Sequence, residues 1–175
     1  MFKITGIVAV GKRWQIGYKD KLPWGRHKND LNLFKEVTMG KTLLMGRKTF
    51  ETLPKKLQGR NIVVLTKNKS YEAPEGVKVF NSVRKVMMHY KKIDGELFIA
   101  GGAEVYHAFR KHIHTWLVSF IDYGERGESR IKDHTLFPKE ILDNYHEAMF
   151  SKYEDFERIM YTRTKVKKIK GKKSR

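Results

Sequence analysis

Eight short apolar runs recur along the chain, alternating with helix-like segments. That alternation specifies an α/β sheet, because period-two and period-3.6 patterns bury different faces. Strands are expected at 4–10, 42–45, 61–66, 77–80, 96–100, 115–121, 145–153 and 158–164. Between them, Leu31, Phe34 and Thr38 repeat at helical spacing across 29–38. Ser82 is placed to cap a helix whose Val83, Val86, Met87 and Tyr90 share a face, and a third helix, 103–110, packs with Val105, Tyr106 and Phe109. Met87, Met88, Trp116 and Phe120 are read as core. The last two strands follow one another without a helix, so an antiparallel hairpin is expected around Glu154, Asp155 and Phe156. The expected fold is a single α/β domain: a mainly parallel eight-stranded sheet with flanking helices and a C-terminal antiparallel hairpin.

A length of 175 residues supports one such core and not two. The longest apolar runs fall far short of the roughly 18 residues of a membrane span. Residues 1–10 read as a buried first strand and not as a leader, since Thr5 and Gly6 interrupt them and no small-residue cleavage pattern follows. The absence of cysteine removes thiolate nucleophiles, disulfides, iron–sulfur clusters and cysteine-based zinc sites, and suits a reducing, cytoplasmic setting. Lys and Arg number 37 against 19 Asp and Glu, a net charge of +18, which calls for an acidic partner such as nucleic acid or a phosphorylated ligand. Seven of those bases, Lys165, Lys167, Lys168, Lys170, Lys172, Lys173 and Arg175, form an acid-free tail. The tail reads either as a solvated, mobile end or as a nucleic-acid arm.

Two strands run into glycine and then open a helix: Leu43-Leu44-Met45-Gly46-Arg47-Lys48-Thr49 and Leu97-Phe98-Ile99-Ala100-Gly101-Gly102-Ala103-Glu104. Glycine permits close backbone approach, and helix-start N–H groups attract phosphate. With Arg47, Lys48, Thr66 and Lys67 nearby, such turns could hold a dinucleotide carrying an additional phosphate. Tight turns and helix–sheet packing need glycine too, and neither turn matches G-x-G-x-x-G or the P-loop. Asp30 also has two readings: a helix-start acid serving as a cap or dipole partner, or a carboxylate in an apolar cleft that binds a ligand's amino and ring N–H groups. No G-x-S-x-G or H-E-x-x-H occurs, and His112 and His114 read as surface or loop residues, so no metal is expected.

The ordered set Ile16-Gly17, Leu22-Pro23-Trp24, Asp30-Leu31 with Phe34, Met45-Gly46-Arg47-Lys48-Thr49-Phe50, Leu57-Gln58-Gly59-Arg60, Val64-Leu65-Thr66, Ala100-Gly101-Gly102-Ala103 with Val105-Tyr106, and Thr135-Leu136-Phe137-Pro138 closely resembles dihydrofolate reductase. The resemblance covers 1–164 and leaves 165–175 outside. It implies NADPH-dependent reduction of dihydrofolate, with hydride to C6 and a proton to N5, in support of one-carbon and thymidylate metabolism. By position, Asp30 falls on the family's active-site acid, and Leu22 and Trp24 on the loop that closes over the nicotinamide. Ile7, Val8, Leu31, Phe34, Leu53, Leu57, Arg60 and Ser119 fall on the folate side, with Ile7 lending main-chain groups to the pterin and Arg60 pairing the glutamate α-carboxylate. Ala9, Ile16, Gly17, Gly46, Arg47, Lys48, Thr49, Leu65, Thr66, Lys67, Ala100, Gly101, Gly102, Ala103, Glu104, Val105 and Tyr106 fall on the cofactor side. Arg47, Thr66 and Lys67 would surround the 2′-phosphate, and Gly101 and Gly102 would be joined by a cis peptide. Antifolate binding accompanies the resemblance, and a monomeric state is the default expectation.

The sequence departs from the family at four places. Residues 25–29 are basic and lack a common proline, Asp133-His134-Thr135 replaces the usual Gly-Asp-Thr, and Ala100 stands where a larger aliphatic often closes the pocket. Ser119 stands where a threonine commonly bonds the acid. A pyrimidine reductase of riboflavin synthesis shares the glycine pair but gives no reason for Leu22-Pro23-Trp24 with Asp30 and Arg60. A noncatalytic basic nucleic-acid-binding protein explains the charge and leaves Asp30 and the glycine turns without a role.

Overall fold

A computed structural model describes residues 2–53, 57–123 and 133–163. In chain order its elements are β1 (Lys3–Val10), β2 (Gln15–Tyr18), α1 (Lys28–Thr38), β3 (Thr42–Gly46), α2 (Arg47–Glu51), β4 (Asn61–Leu65), β5 (Lys78–Phe80), α3 (Val83–Tyr90), β6 (Glu96–Ile99), α4 (Ala103–Phe109), β7 (Thr115–Ile121), β8 (His134–Leu136), a 3-10 helix (Lys139–Asn144), β9 (Tyr145–Lys152) and β10 (Phe156–Arg163). The eight expected strands form one sheet in the order β5-β4-β3-β6-β1-β7-β10-β9. Neighbours from β5 to β7 are parallel, and β10 joins β7 antiparallel and closes the hairpin with β9. The Tyr153 N–H donates to the Phe156 carbonyl at 2.9 Å, so β10 starts two residues earlier than the apolar run suggested. A second, two-stranded sheet pairs β2 with β8 and sets Gly17 opposite Thr135. Its strands are too short for a period of two to be visible in the sequence. Residues 124–132, Thr164 and the basic tail lie outside the described residues.

Side chains alternate between the two faces of a strand, and the apolar residues divide accordingly. Ile4, Val8 and Val10 of β1 lie on the face covered by α3 and α4, packed with Val86, Tyr90, Val105, Tyr106, Phe109, Trp116 and Phe137. Ile7 lies on the other, with Leu43, Met45, Ile62, Val64 and Phe98, under Phe34 and Val37 of α1 and Phe50 of α2. Helix α3 begins as its cap predicts, with Ser82 Oγ accepting from the Lys85 N–H at 3.3 Å. Met88 does not join the core: it is 61% exposed, because it points away from the Val86 and Tyr90 face. Phe120 is only partly buried, set edge-on to Trp14 at 5.4 Å between ring centres. His114 lies in the turn before β7, where its Nδ1 accepts from the Ile4 N–H at 3.1 Å.

Among the described residues, no cluster of His, Cys, Asp and Glu is placed to hold a metal. No described helix is long and apolar enough to cross a membrane.

Candidate active site

The parallel strands end together on one edge of the sheet, where loops and helix starts can converge on a ligand. There the two strand–glycine–helix turns meet. The Gly46 N–H donates to the Gly101 carbonyl at 2.9 Å, and the Ala100 N–H donates to the Leu44 carbonyl at 2.8 Å. A Cβ added to Gly46 would lie 3.1 Å from Val105 Cγ2, and one on Gly102 would lie 3.2 Å from Thr49 Oγ1. Backbone and side chains therefore touch at a spacing that larger residues would disturb. The Gly101–Gly102 peptide is cis. Both α2 and α4 start from glycine without a side-chain cap.

Arg47, Lys48 and Thr49 occupy the first turn of α2, and the register of β3 with β4 pairs Gly46 with Leu65, so Thr66 and Lys67 follow alongside. The Arg47 guanidinium donates to Glu51 at 2.9 Å, a surface pair that an arriving anion can replace at little cost. Thr66 is buried and its Oγ1 accepts from the Asn68 N–H at 3.1 Å, while Lys67 is exposed. Ala103 is half-buried and Glu104 exposed in the first turn of α4. Val105 and Tyr106, by contrast, face inward. The Tyr106 hydroxyl donates to the Ile7 carbonyl at 2.8 Å, and burial pushes its phenol far above the ordinary range, keeping it a neutral donor.

The other half of the site is built by α1 lying over β1, β7 and β10. The cap of α1 is His27, whose Nδ1 accepts from the Asp30 N–H at 3.4 Å, and not Asp30. The Asp155 carboxylate holds this helix start, accepting from Asn29 Nδ2 at 3.0 Å and lying 3.4 Å from His27 Nε2. The basic, proline-free segment thus supplies its own cap. Freed from capping, Asp30 turns inward and is 7% exposed.

Among the described residues, Asp30 is the one buried acid and Arg158 the one buried base. Arg158 Nη2 lies 3.8 Å from Asp30 Oδ1. The same guanidinium donates from Nε and Nη2 to Ser119 Oγ at 3.2 and 3.1 Å. Ala9, Ser119 and Arg158 stand in register across β1, β7 and β10, so Arg158 links Ser119 to Asp30. Burial pulls the guanidinium below its ordinary pKa, opposed by Asp30 and then by Tyr153. The sequence reading missed Arg158. Its signal was the period of two: Phe156 is 4% exposed, and Arg158 is the next residue on that inward side.

Beside this pair, Phe34, Leu53, Leu57 and Ala100 pack on the cluster containing Ile7. Val8, its neighbour in the chain, faces the opposite layer. Leu31 and Leu22 lie at the rim, 36% and 40% exposed. The Leu22–Gly25 turn closes with the Gly25 N–H donating to the Leu22 carbonyl at 3.0 Å, and Gly25 has a φ of 73°. The Trp24 ring rests 5.7 Å from that of Tyr123, with its buried Nε1 unpartnered. Ile16 and Gly17 sit half-buried on β2. Arg60 is half-buried, donates from Nε to the Gln58 carbonyl at 3.1 Å, and has its pKa lowered by burial.

Residues 3–168 match the family model for dihydrofolate reductase. The dihydrofolate reductase of Lactococcus lactis subsp. lactis (strain IL1403) is 34% identical over 172 residues, covering 95% of this chain and 98% of the relative. That of Staphylococcus aureus is 33% identical over 142 residues, 81% and 82% of the two chains. Among solved structures, dihydrofolate reductase from Enterococcus faecalis complexed with NADP(H) and RAB-propyl superposes with a TM-score of 0.80 at 29% identity, covering 93% of this chain and 97% of that one. With this sheet order, the paired glycine turns and a family match over nearly the whole length, the chain belongs to the dihydrofolate reductase family.

Proposed function

We propose that the chain reduces 7,8-dihydrofolate to tetrahydrofolate with NADPH, and that Asp30 is its active-site acid. The observation that carries this reading is Asp30, the one buried carboxylate among the described residues, on the helix whose Phe34 packs on the apolar cluster around Ile7, in a sheet whose two glycine turns are joined. A buried carboxylate needs donors, and the 2-amino group and N3–H of a pterin are two donors at matching spacing. Asp30 holds the pterin through them and favours the proton at N5, through water. The Ile7 carbonyl, already accepting from Tyr106, has a second lone pair to offer the ring. Ile7, Leu31, Phe34, Leu53 and Leu57 line or support the apolar wall, while the Val8 side chain, turned to the opposite layer, does not; Arg60 takes the glutamate carboxylate, and Leu22 and Trp24 close over the site and exclude water.

The turns at Gly46 and Gly101–Gly102 fit a dinucleotide with a third phosphate. Both helix starts lack side-chain caps, and Arg47, Lys48, Thr49, Thr66 and Lys67 supply cations and hydroxyls along one edge. NADPH bound there supplies the hydride for C6 of the pterin. Ala9, Ile16, Gly17, Leu65, Ala100, Ala103, Glu104, Val105 and Tyr106 form the strand ends and helix start that border this groove. No observation favours the riboflavin-pathway reading, and a nucleic-acid arm would have to reside in residues outside the described ones.

Loss of NADPH absorbance on adding dihydrofolate to the purified protein tests the proposal. Rapid turnover that prefers NADPH to NADH and stops with an antifolate is expected; a folded protein with no turnover defeats it. Arg60→Leu should raise the KM for dihydrofolate about 10- to 100-fold, and far less for a pterin lacking glutamate, because a lost charge-assisted pair affects only the ligand carrying the carboxylate. Equal effects on the two substrates would remove Arg60 from the glutamate site.

A further inference from the structure

We propose that Arg158 is a positioning and specificity-determining residue that makes the Asp30 site discriminate ligands by charge, favouring neutral ring systems over basic ones. This inference rests on the assignment of Asp30 as the pterin-binding acid. Arg158 enters from β10, on the far side of β7 from β1, and both groups are 7% exposed. With 3.8 Å between Nη2 and Oδ1, the two opposite charges largely cancel before any ligand arrives. Ser119 fixes the fork, since its Oγ accepts from two of the guanidinium nitrogens. Among the described residues, the other titratable groups that meet the pair are peripheral to it. His27 meets Asp30 through the backbone N–H, Asp155 is engaged with His27 and Asn29, and Tyr153 lies across the hairpin turn.

The consequence concerns what can sit against the free side of the Asp30 carboxylate. A 2-amino-4-oxo ring such as a pterin presents N–H donors without net charge, and the Arg158 cation does not oppose it. A 2,4-diaminopyrimidine has a basic ring nitrogen and forms its strongest pair with a carboxylate as a cation. It must then place a positive charge a few ångströms from Arg158 in a water-poor site. At an effective dielectric constant of about 20, two like charges roughly 6 Å apart repel enough to cost about 100-fold in affinity. A neutral side chain at this position would leave the carboxylate uncompensated and reward the cation. Arg158 therefore weakens binding of basic diaminopyrimidines selectively, while keeping Asp30 held in place for the uncharged pterin ring of the substrate.

The test compares dissociation constants of dihydrofolate and a plain 2,4-diaminopyrimidine for the wild type, Arg158→Gln, Arg158→Met and Arg158→Lys, alongside steady-state turnover. Arg158→Gln keeps donors for Ser119 and guards against misfolding in the apolar Arg158→Met. Both neutral variants should shift the affinity ratio toward the diaminopyrimidine by about 10- to 100-fold, and Arg158→Lys should hold it within about threefold of wild type. An unchanged ratio in folded Arg158→Gln, or an equal shift in Arg158→Lys, overturns the role of charge. A wild type that turns over dihydrofolate while the ratios stay constant overturns this inference alone; a wild type that neither binds nor reduces dihydrofolate overturns the parent reading with it.

Discussion

Asp30→Asn is expected to lower kcat with dihydrofolate by about 10²–10⁴-fold while leaving NADPH affinity within a few-fold of wild type, because only the pterin half of the site loses its acid. The structure adds a second consequence. Arg158 is buried beside Asp30 and its other partner is a neutral hydroxyl, so the substitution strands a cation in a site that excludes water. Breaking one partner of a buried pair costs on the order of 3–5 kcal/mol, and Asn, which keeps one acceptor oxygen, should fall at the lower end. Adding Arg158→Met removes the stranded charge. The double variant should thus recover most of the stability and none of the turnover. Urea unfolding of the three proteins alongside turnover separates the two effects, and full activity of Asp30→Asn at neutral pH would eliminate Asp30 as the acid.

Gly6→Ala should be among the most damaging substitutions in the sheet, although Gly6 touches no proposed ligand. Gly6 pairs with Trp116 across β1 and β7, and a Cβ there would collide with the six-membered ring of the Trp116 indole. The indole cannot retreat: it is fully buried, set edge-on to Tyr106 at 5.4 Å and to Phe137 at 5.2 Å. Overpacking of this kind costs about 3 kcal/mol, or roughly 6–12 °C in Tm for a chain of this size. Trp116→Leu should then relieve part of the loss, through the space the indole vacates. A Gly6→Ala protein melting within about 2 °C of wild type would show that the sheet can shift to accommodate it.

The two substitutions mark where the sequence could be read and where it could not. The strands that build the sheet are visible because their faces repeat strictly: Leu43 and Met45 fall in one layer and Leu44 in the other, and β6 divides in the same way. The start and inward face of helix α3 were legible, because Ser82 caps it and Val86 and Tyr90 repeat one turn apart. The glycine turns were visible as motifs, while their direct contact depends on β3 lying next to β6 across intervening chain. The small sheet of β2 and β8 left no signal, since strands of four and three residues cannot display a period. Met88 was misplaced for the opposite reason: it is apolar, and composition does not say which side of a helix a residue occupies.

Local pattern alone therefore determined the order of the eight strands of the main sheet along the chain and the division of their side chains between two layers, and it put Asp30 forward with two readings, because each is written in neighbours a few residues apart. Only the tertiary structure decided that His27 caps α1 and leaves Asp30 free to turn inward, and that Arg158 comes to rest beside it. Those facts depend on which strand pairs with β7 and in what register, and pairing energy arises between residues far apart in the chain, where no single segment records it.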